Sequence, residues 1–243
     1  MEDVFGIKPY GETFKIAVEK AAEGVGAFLA ATCMPAAEEF GLIVKDKFRY
    51  WRLNNAVRML EKAKGKFEFT DDKLQLKVNP RIGIEIIENA SWQEDDNILE
   101  MWAGLLNSSL NIDGIDDSNI IFINLLKSLT SVQCRILQYI CANGGIARDK
   151  NGLIHTKTAC KISMNALFEI AQTNDIDRLD RELDHLRSLD LLPSSIFGGS
   201  GFTRNQKDFT QIALEPSALA LNFYARVNGF KNNYDCFPNA EQK

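Results

Sequence analysis

The stretch of sequence that decides the fold is residues 91–110, which read SWQEDDNILEMWAGLLNSSL. Ser91 is followed three residues later by Glu94, a spacing typical of a capping box, and the acidic run ending at Asp96 suits the first turn of a helix. Large apolar residues then recur at helical spacing, namely Ile98, Leu99, Met101, Trp102, Leu105 and Leu106. The pattern predicts a core helix with a broad buried face.

The composition is that of an ordinary globular protein, with 45% apolar and 25% charged residues among 243, and this length suits two compact units. The net charge of −5 argues against a large nucleic-acid-binding surface, which normally shows a basic excess. The five cysteines lack CxxC spacing, which favours buried thiols in a reducing cytoplasm. The longest uncharged run, residues 24–37, is too short to cross a bilayer, which takes about 20 residues. We therefore expect a cytoplasmic protein.

We expect a mainly α fold. An N-terminal helical domain, residues 1–128, precedes a winged-helix-like α+β domain, residues 129–230, and a C-terminal tail, residues 231–243. Within the first domain the apolar spacing predicts helices at residues 14–32, 35–64, 81–89 and 91–110, and another after a cap at Asp117 or Ser118. Alternating apolar residues predict a short hairpin or extended arm near residues 67–78.

The second domain has the element order of a winged helix. Thr130 or Ser131 is expected to cap a helix that stops at the Asn-Gly-Gly of residues 143–145. The segments that follow are a polar, partly extended stretch at 146–161, helices at 163–171 and 175–189, a glycine-rich tip at 194–205, a returning strand at 209–214 and a helix at 217–228. This order of helix, turn, helix and strand pair around a glycine-rich tip is typical of a winged helix.

The charge of the would-be recognition helix argues against a DNA-binding role. Residues 175–190 carry three arginines and six acids, a balance of −3. Since a helix in the major groove lies within a Debye length of both phosphate rows, excess acids oppose binding. We therefore expect this domain to pack against protein, and we do not expect DNA as a partner.

The one strongly basic stretch of the chain is residues 45–66, where eight Lys or Arg accompany two acids, a balance of +6. The candidate residues for a partner-binding or anion-binding surface are Lys45, Lys47, Arg49, Arg52, Arg58 and Lys62. A basic amphipathic helix can lie on an anionic membrane, touch nucleic acid or bind a protein. It can also be a solvated face whose charges pair with the acidic starts of other helices.

The sequence completes no catalytic or metal-binding pattern. The acids at residues 94–100 are explained by helix polarity, and those at residues 113–117 lack the glutamate that completes an EF-hand. His155 and His185 have no ligand partner at metal-binding spacing, and residues 198–201 do not match a phosphate loop. We therefore expect no cofactor and no metal.

Several packing motifs of the chain occur together in one protein family. They are residues 35–41 (PAAEEFG), 50–55 (YWRLNN), 80–90, 99–109 (LEMWAGLLNSS), 119–129 and 130–133 (TSVQ). With these motifs the chain resembles the abortive infection alpha family over most of residues 15–145, although Asp117-Ser118-Asn119 stands where a His-Pro helix start is expected. The resemblance implies a bacterial protein associated with phage resistance. The family has no established catalytic residues, so the resemblance implies none in this chain.

The combined expectation is a bacterial antiphage defence protein that acts through protein–protein contacts or self-association, without catalysis. Its expected partner is another protein or a second copy of the chain. Two alternatives stay open: a winged-helix transcriptional regulator, and an effector that perturbs membranes with residues 14–64. The first predicts salt-dependent DNA binding, and the second predicts membrane contact with leakage of liposomes.

Overall fold

The computed structural model of the protein describes residues 24–36, 38, 50–66, 76–193 and 211–242. The numbered helices are α1 (Tyr50–Lys66), α2 (Pro80–Ser91), α3 (Asp96–Ser108), α4 (Ile120–Ser128), α5 (Ser131–Asn143), α6 (Met164–Ala171), α7 (Ile176–Ser188), α8 (Ala218–Val227) and α9 (Asn233–Cys236). The strands are β1 (Gly145–Arg148), β2 (Ile154–Thr158), β3 (Cys160–Ser163), β4 (Gln211–Leu214) and β5 (Glu241–Gln242). A further helical segment at residues 24–32 precedes α1.

The mainly α fold class is confirmed, with short strands in the C-terminal part. β1 pairs antiparallel with β2 and parallel with β5, whereas β3 pairs antiparallel with β4. The return of β4 onto β3 encloses α6 and α7 in the chain order that a winged helix needs. The glycine-rich tip at 194–205 lies outside the described residues, so the winged-helix assignment stays a prediction.

The centre of the fold is α3, which packs against α1, α2, α5 and α8. The six apolar residues that predicted its core face are all buried, and the Trp102 side chain is only 1% exposed. These side chains belong to a connected hydrophobic cluster that runs from Val25 to Val227. The cluster includes buried residues on both sides of residue 128, and the division into two domains stays a prediction.

The predicted start of this helix at Ser91 is wrong. Ser91 is the last residue of α2, and α3 begins after Asp95, whose carboxylate accepts hydrogen bonds from the backbone N–H groups of Asn97 (2.9 Å) and Ile98 (3.3 Å). The Ser91 hydroxyl instead donates to the carbonyl oxygen of Glu88 at 2.7 Å. Asp95 therefore supplies the cap that the sequence pattern assigned to Ser91.

The predicted cap of α4 at Asp117 or Ser118 is also wrong. The residue that precedes α4 is Asn119, and its side chain does not cap the helix. Its amide is buried and donates to the hydroxyl groups of Ser108 (3.0 Å) and Ser109 (2.7 Å) at the end of α3. Asn119 thus connects the two helices instead of closing the N-terminus of one.

The helices of the C-terminal half begin at capping side chains. Thr130 and Gln133 form a capping box on α5, which ends at Asn143 as predicted. Ser163 caps α6 and Asp175 caps α7, at the starts that the sequence predicted. The stretch at 146–161, predicted to be polar and partly extended, holds most of β1, all of β2 and the first residues of β3.

The N-terminal elements are described only in part. The predicted helix at 14–32 is helical from residue 24 to residue 32. The predicted helix at 35–64 is helical at residues 35, 36 and 38 and again from Tyr50 onward, where it continues to Lys66. Most of the hairpin predicted near 67–78 lies outside the described residues. At its end, Lys77 exchanges two backbone hydrogen bonds with Asn111, at 2.7 and 2.8 Å.

A glycine in α3 allows the end of α8 to approach closely. A Cβ atom at Gly104 would lie 1.8 Å from the carbonyl oxygen of Val227 and 2.4 Å from its carbonyl carbon. Both are backbone atoms, which cannot rotate away as the end of a side chain can. The contact between α3 and α8 therefore requires a residue without a side chain at position 104.

We expect Gly104→Ala to lower the free energy of unfolding by about 3 kcal/mol, the upper end of the usual cost of overpacking. Chemical denaturation measures it. The matched control is Gly65→Ala in α1, where no atom lies within 4 Å of the added Cβ. This control should be stabilising by up to about 1 kcal/mol, because alanine favours a helix. A neutral Gly104→Ala variant would contradict the close approach.

We expect Trp102→Ala to lower the free energy of unfolding by about 3 to 5 kcal/mol, because the side chain is buried and leaves a cavity. The Trp102 indole N–H has no hydrogen-bond partner among the described residues. Trp102→Phe keeps most of the volume and sacrifices no such bond, so it should cost clearly less in the same denaturation experiment. Equal losses in the two variants would mean that packing volume is not what Trp102 contributes.

Candidate functional site

Arg52, one of the residues predicted to form a basic surface, is buried in the structure. Arg52 is only 4% exposed, and its guanidinium donates to the Ser91 hydroxyl at 2.8 and 2.9 Å and to Glu88 at 2.6 Å. It also lies 4.2 Å from the ring centre of Trp92. Arg52 therefore connects α1 to the end of α2 and is not available to an external partner. Lys45, Lys47 and Arg49 lie outside the described residues.

Arg58 and Lys62 form ion pairs with α3. Arg58 lies 2.8 Å from Asp96, and Lys62 lies 3.4 Å from Asp96 and 2.8 Å from Glu100. Lys66 adds a contact of 2.7 Å with Glu100. We call these five side chains the ion-pair ladder. The acidic start of α3 thus supplies the counter-charges for α1, and a partner-binding role for Arg58 and Lys62 stays a prediction.

The ladder changes the pKa values of its members. Burial tends to raise the pKa of Glu100, but hydrogen bonds from Lys62 and Lys66, and their charges, outweigh it and lower the pKa below 4.5. Burial likewise opposes the lowering of the Asp96 pKa by Arg58 and Lys62. The hydrogen bond with Glu100 raises the pKa of Lys62 above 10.5. Asp96, Glu100 and Lys62 are therefore charged at neutral pH.

The predicted acidic helix is α7, and its exposed residues carry both signs of charge. Asp177 and Asp184 are exposed, and so are Arg178 and Arg181; Asp184 also pairs with Arg187 on the same helix. Glu182 is buried and accepts a hydrogen bond of 2.7 Å from the hydroxyl of Thr130. This side chain therefore connects α7 to the N-terminus of α5.

A cleft of about 560 Å³ lies between the ends of several helices. Residues of α1, α3, α5, α6 and α8 line it, and Asn228 follows α8 directly. Its apolar lining includes Met101, Ile170 and Val227, and its polar lining includes Gln138 and Asn228. The cleft was not predicted, because its residues come from five helices that are distant in the sequence.

Arg135 borders this cleft and joins three elements. Its guanidinium donates to the carbonyl oxygens of Ile170 (3.1 Å) and Ala171 (2.8 Å) at the end of α6. It also lies 3.4 Å from the carboxylate of Asp95, the cap of α3. The cation therefore sits where both a helix C-terminus and a carboxylate favour positive charge.

A second surface feature is the loop between α3 and α4, which we call the isoleucine loop (Asn111–Asn119). Ile112 is 79% exposed and Ile115 is 73% exposed. In the sequence, only the acids of this loop stand out as candidate ligands. The exposure of the loop could have been predicted from two isoleucines that stand among acidic residues. Their spacing fits neither a helix nor a strand, so no regular element would bury them.

The cysteines and histidines of the described part of the chain assemble no metal site, since no group of three or more His, Cys, Asp or Glu side chains is placed to hold an ion there. Burial raises the pKa of Cys134 to about 12 and that of Cys236 to about 11. The Nδ1 atom of His185 lies 2.9 Å from the side-chain amide nitrogen of Gln133.

Within the described residues, no helix has the length and apolar character needed to cross a membrane.

We expect Glu100→Gln to lower the free energy of unfolding at pH 7 by about 0.2 to 1 kcal/mol, the range for partly exposed ion pairs. A carboxyl whose pKa is lowered by folding stabilises the fold above its unfolded pKa and loses this effect as pH falls through the folded value. The difference from the parent protein should therefore shrink below pH 4.5. Denaturation at a series of pH values measures it. Glu169→Gln, at an exposed position of α6, should show no such dependence.

Comparison with known proteins places the chain in a family. A family model described as abortive infection alpha matches residues 52–222. No curated protein and no solved structure matches the chain. The match starts later than the resemblance seen at residues 15–145 and extends further, to the middle of α8. Because it covers well over half of the 243 residues, the chain belongs to the abortive infection alpha family, and this membership supports an abortive-infection-like defence role.

Proposed function

We propose that this protein defends bacteria against phage by binding another protein through the isoleucine loop, without catalysing a reaction. Family membership supports the defence role. The observation that carries the binding mode is the exposure of Ile112 and Ile115, each above 70%. Burying a side chain of this kind contributes about 1.5 to 3 kcal/mol, so two isoleucines make an effective contact.

The loop is ordered before any partner arrives. The carboxylates of Asp113 and Asp116 accept backbone hydrogen bonds from Ile115 (3.2 Å) and Ser118 (2.9 Å). The side-chain amide of Asn79 donates to the carbonyl oxygen of Ile115 at 3.0 Å. Gly114 has a φ of +70°, which suits the turn between the two isoleucines. A loop that is already ordered loses little conformational entropy on binding.

The charges around the isoleucines indicate the chemistry of the partner. Asp113, Asp116 and Asp117 are all exposed beside them. Hydrogen bonds from Ser118 and the positive charge of Arg226 lower the pKa of Asp116 below 3.8. The loop therefore combines an apolar contact with negative charge. A complementary partner surface is apolar and bordered by lysine or arginine.

The chemical state of several described residues supports a mechanism without catalysis. The cysteines with the clearest pKa shifts, Cys134, Cys141 and Cys236, have raised pKa values through burial, which opposes the thiolate form needed for nucleophilic attack. The carboxylates of the ladder pair with cations and have lowered pKa values, the opposite of a general acid.

We expect the double variant Ile112→Ser, Ile115→Ser to lose protection in phage plating assays, because the apolar contact with the partner is removed. Its free energy of unfolding should stay within about 0.5 kcal/mol of the parent, as is usual for surface substitutions. The matched control is Leu153→Ser, since Leu153 is also an exposed aliphatic side chain (67%) but lies in the turn before β2. This control should keep full protection.

Three results would contradict the proposal. The first is a parent protein that protects against no phage in a broad panel and causes no toxicity on expression, which removes the defence role. The second is a double variant that protects as well as the parent, which removes the isoleucine loop from the mechanism. The third is a shift from oligomer to monomer in the double variant, measured by light scattering, which replaces the separate partner with a second copy of the chain.

A further inference from the structure

We propose that the cleft bordered by α3, α5 and α8 binds a small, neutral, planar lactam heterocycle of the nucleobase class. This inference does not depend on the proposed function. The volume of the cleft, about 560 Å³, lies within the range of about 300 to 1,000 Å³ that is usual for small-molecule sites. Its lining combines apolar side chains with polar groups that can orient a ligand.

The charged residues of the cleft are already neutralised by their neighbours. Lys66 lies 2.7 Å from Glu100 in the ion-pair ladder. Arg135 lies 3.4 Å from Asp95 and donates to two carbonyl oxygens of α6. An anionic ligand would compete with these carboxylates for the two cations. The cleft therefore favours a ligand that binds through a neutral group.

Two side-chain amides that line the cleft offer one donor and one acceptor to a ligand. The amide nitrogen of Asn228 donates to the side-chain oxygen of Gln138 at 3.3 Å and to the carbonyl oxygen of Tyr224 at 2.8 Å. Both N–H groups of Asn228 are thus used. The Asn228 oxygen and the Gln138 amide nitrogen make no hydrogen bond within the described residues. Because the two amides are bonded to each other, this acceptor and this donor belong to side chains in direct contact.

A lactam edge complements this pair better than a peptide does. In a lactam ring the N–H and C=O groups are cis and point to the same side, as in uracil, hypoxanthine and guanine. Its C=O can accept from Gln138 while its N–H donates to Asn228. A trans peptide bond points these two groups in opposite directions, so it cannot satisfy both amides at once.

The remaining lining suits a flat ring. Tyr139 follows Gln138 on α5, lines the cleft and is 36% exposed, so part of its ring is accessible. Met101 and Val227 provide buried apolar surface from α3 and α8. An aromatic side chain can stack on any nucleobase, whereas the amide pair selects bases with an N–H beside a C=O.

Isothermal titration calorimetry of the full chain with uridine, inosine and guanosine tests the proposal. At least one of these nucleosides should bind and should raise the midpoint of thermal unfolding, because a ligand of the folded state stabilises it. N3-methyluridine lacks the ring N–H and should bind at least about tenfold more weakly than uridine, the effect of one lost hydrogen bond.

Two variants and a matched control locate the site. Gln138→Met keeps the size of the side chain but removes the donor, and Tyr139→Ala removes the accessible ring; each should weaken binding by about tenfold or more. Phe230→Ala is the control, because Phe230 is equally exposed (36%) and does not line the cleft. It should bind as the parent does. Thermal unfolding without ligand checks that all three variants are folded.

The proposal is overturned if none of the three nucleosides binds at concentrations up to about 5 mM. It is also overturned if N3-methyluridine binds as tightly as uridine, because the lactam edge is then not recognised. Nucleoside 5′-monophosphates that bind more than about tenfold tighter than the nucleosides would overturn the neutral character of the ligand. Equal binding by Gln138→Met and the parent would place the ligand outside this cleft.

Discussion

Position 104 accepts no side chain, because the space that a Cβ atom would need is occupied by the carbonyl group of Val227. This approach of two backbones brings the end of α8 against α3, which already contacts α1, α2 and α5. It also fixes the position of Val227 and Asn228, two residues that line the cleft. The central packing and the cleft therefore depend on the same glycine.

The regular elements could be predicted because their causes are local in the sequence. The spacing of apolar residues predicted the buried face of α3. Thr130 indicated the start of α5, because its side-chain oxygen can accept a hydrogen bond from a backbone N–H of the first turn. The cap of α3 was assigned to Ser91 because Glu94 follows it at the spacing of a capping box, although Asp95 is also a residue type that caps helices. What separates them is the hydrogen bond between Arg52 and the Ser91 hydroxyl, which joins residues 39 positions apart. No local pattern contains that information.

The candidate sites were harder to predict for the same reason. The sequence showed an excess of positive charge in α1. That these charges pair with the acidic starts of other helices was one of several interpretations of that excess. Only the structure shows that Arg58 and Lys62 contact Asp96 and that Arg52 is buried. The cleft could not be predicted from the sequence, because five separate helices contribute residues to it. The isoleucine loop is different, because its unusual composition could have been recognised without a structure.

The cation of Arg135 has an implication for inheritance. It belongs to α5, yet it contacts Asp95 at the start of α3, and Gly104 in α3 likewise fits the end of α8. A recombination event that joined residues 1–128 of one relative to the remainder of another would bring together surfaces that had not diverged in step. These contacts therefore couple the packing of the two segments of the chain.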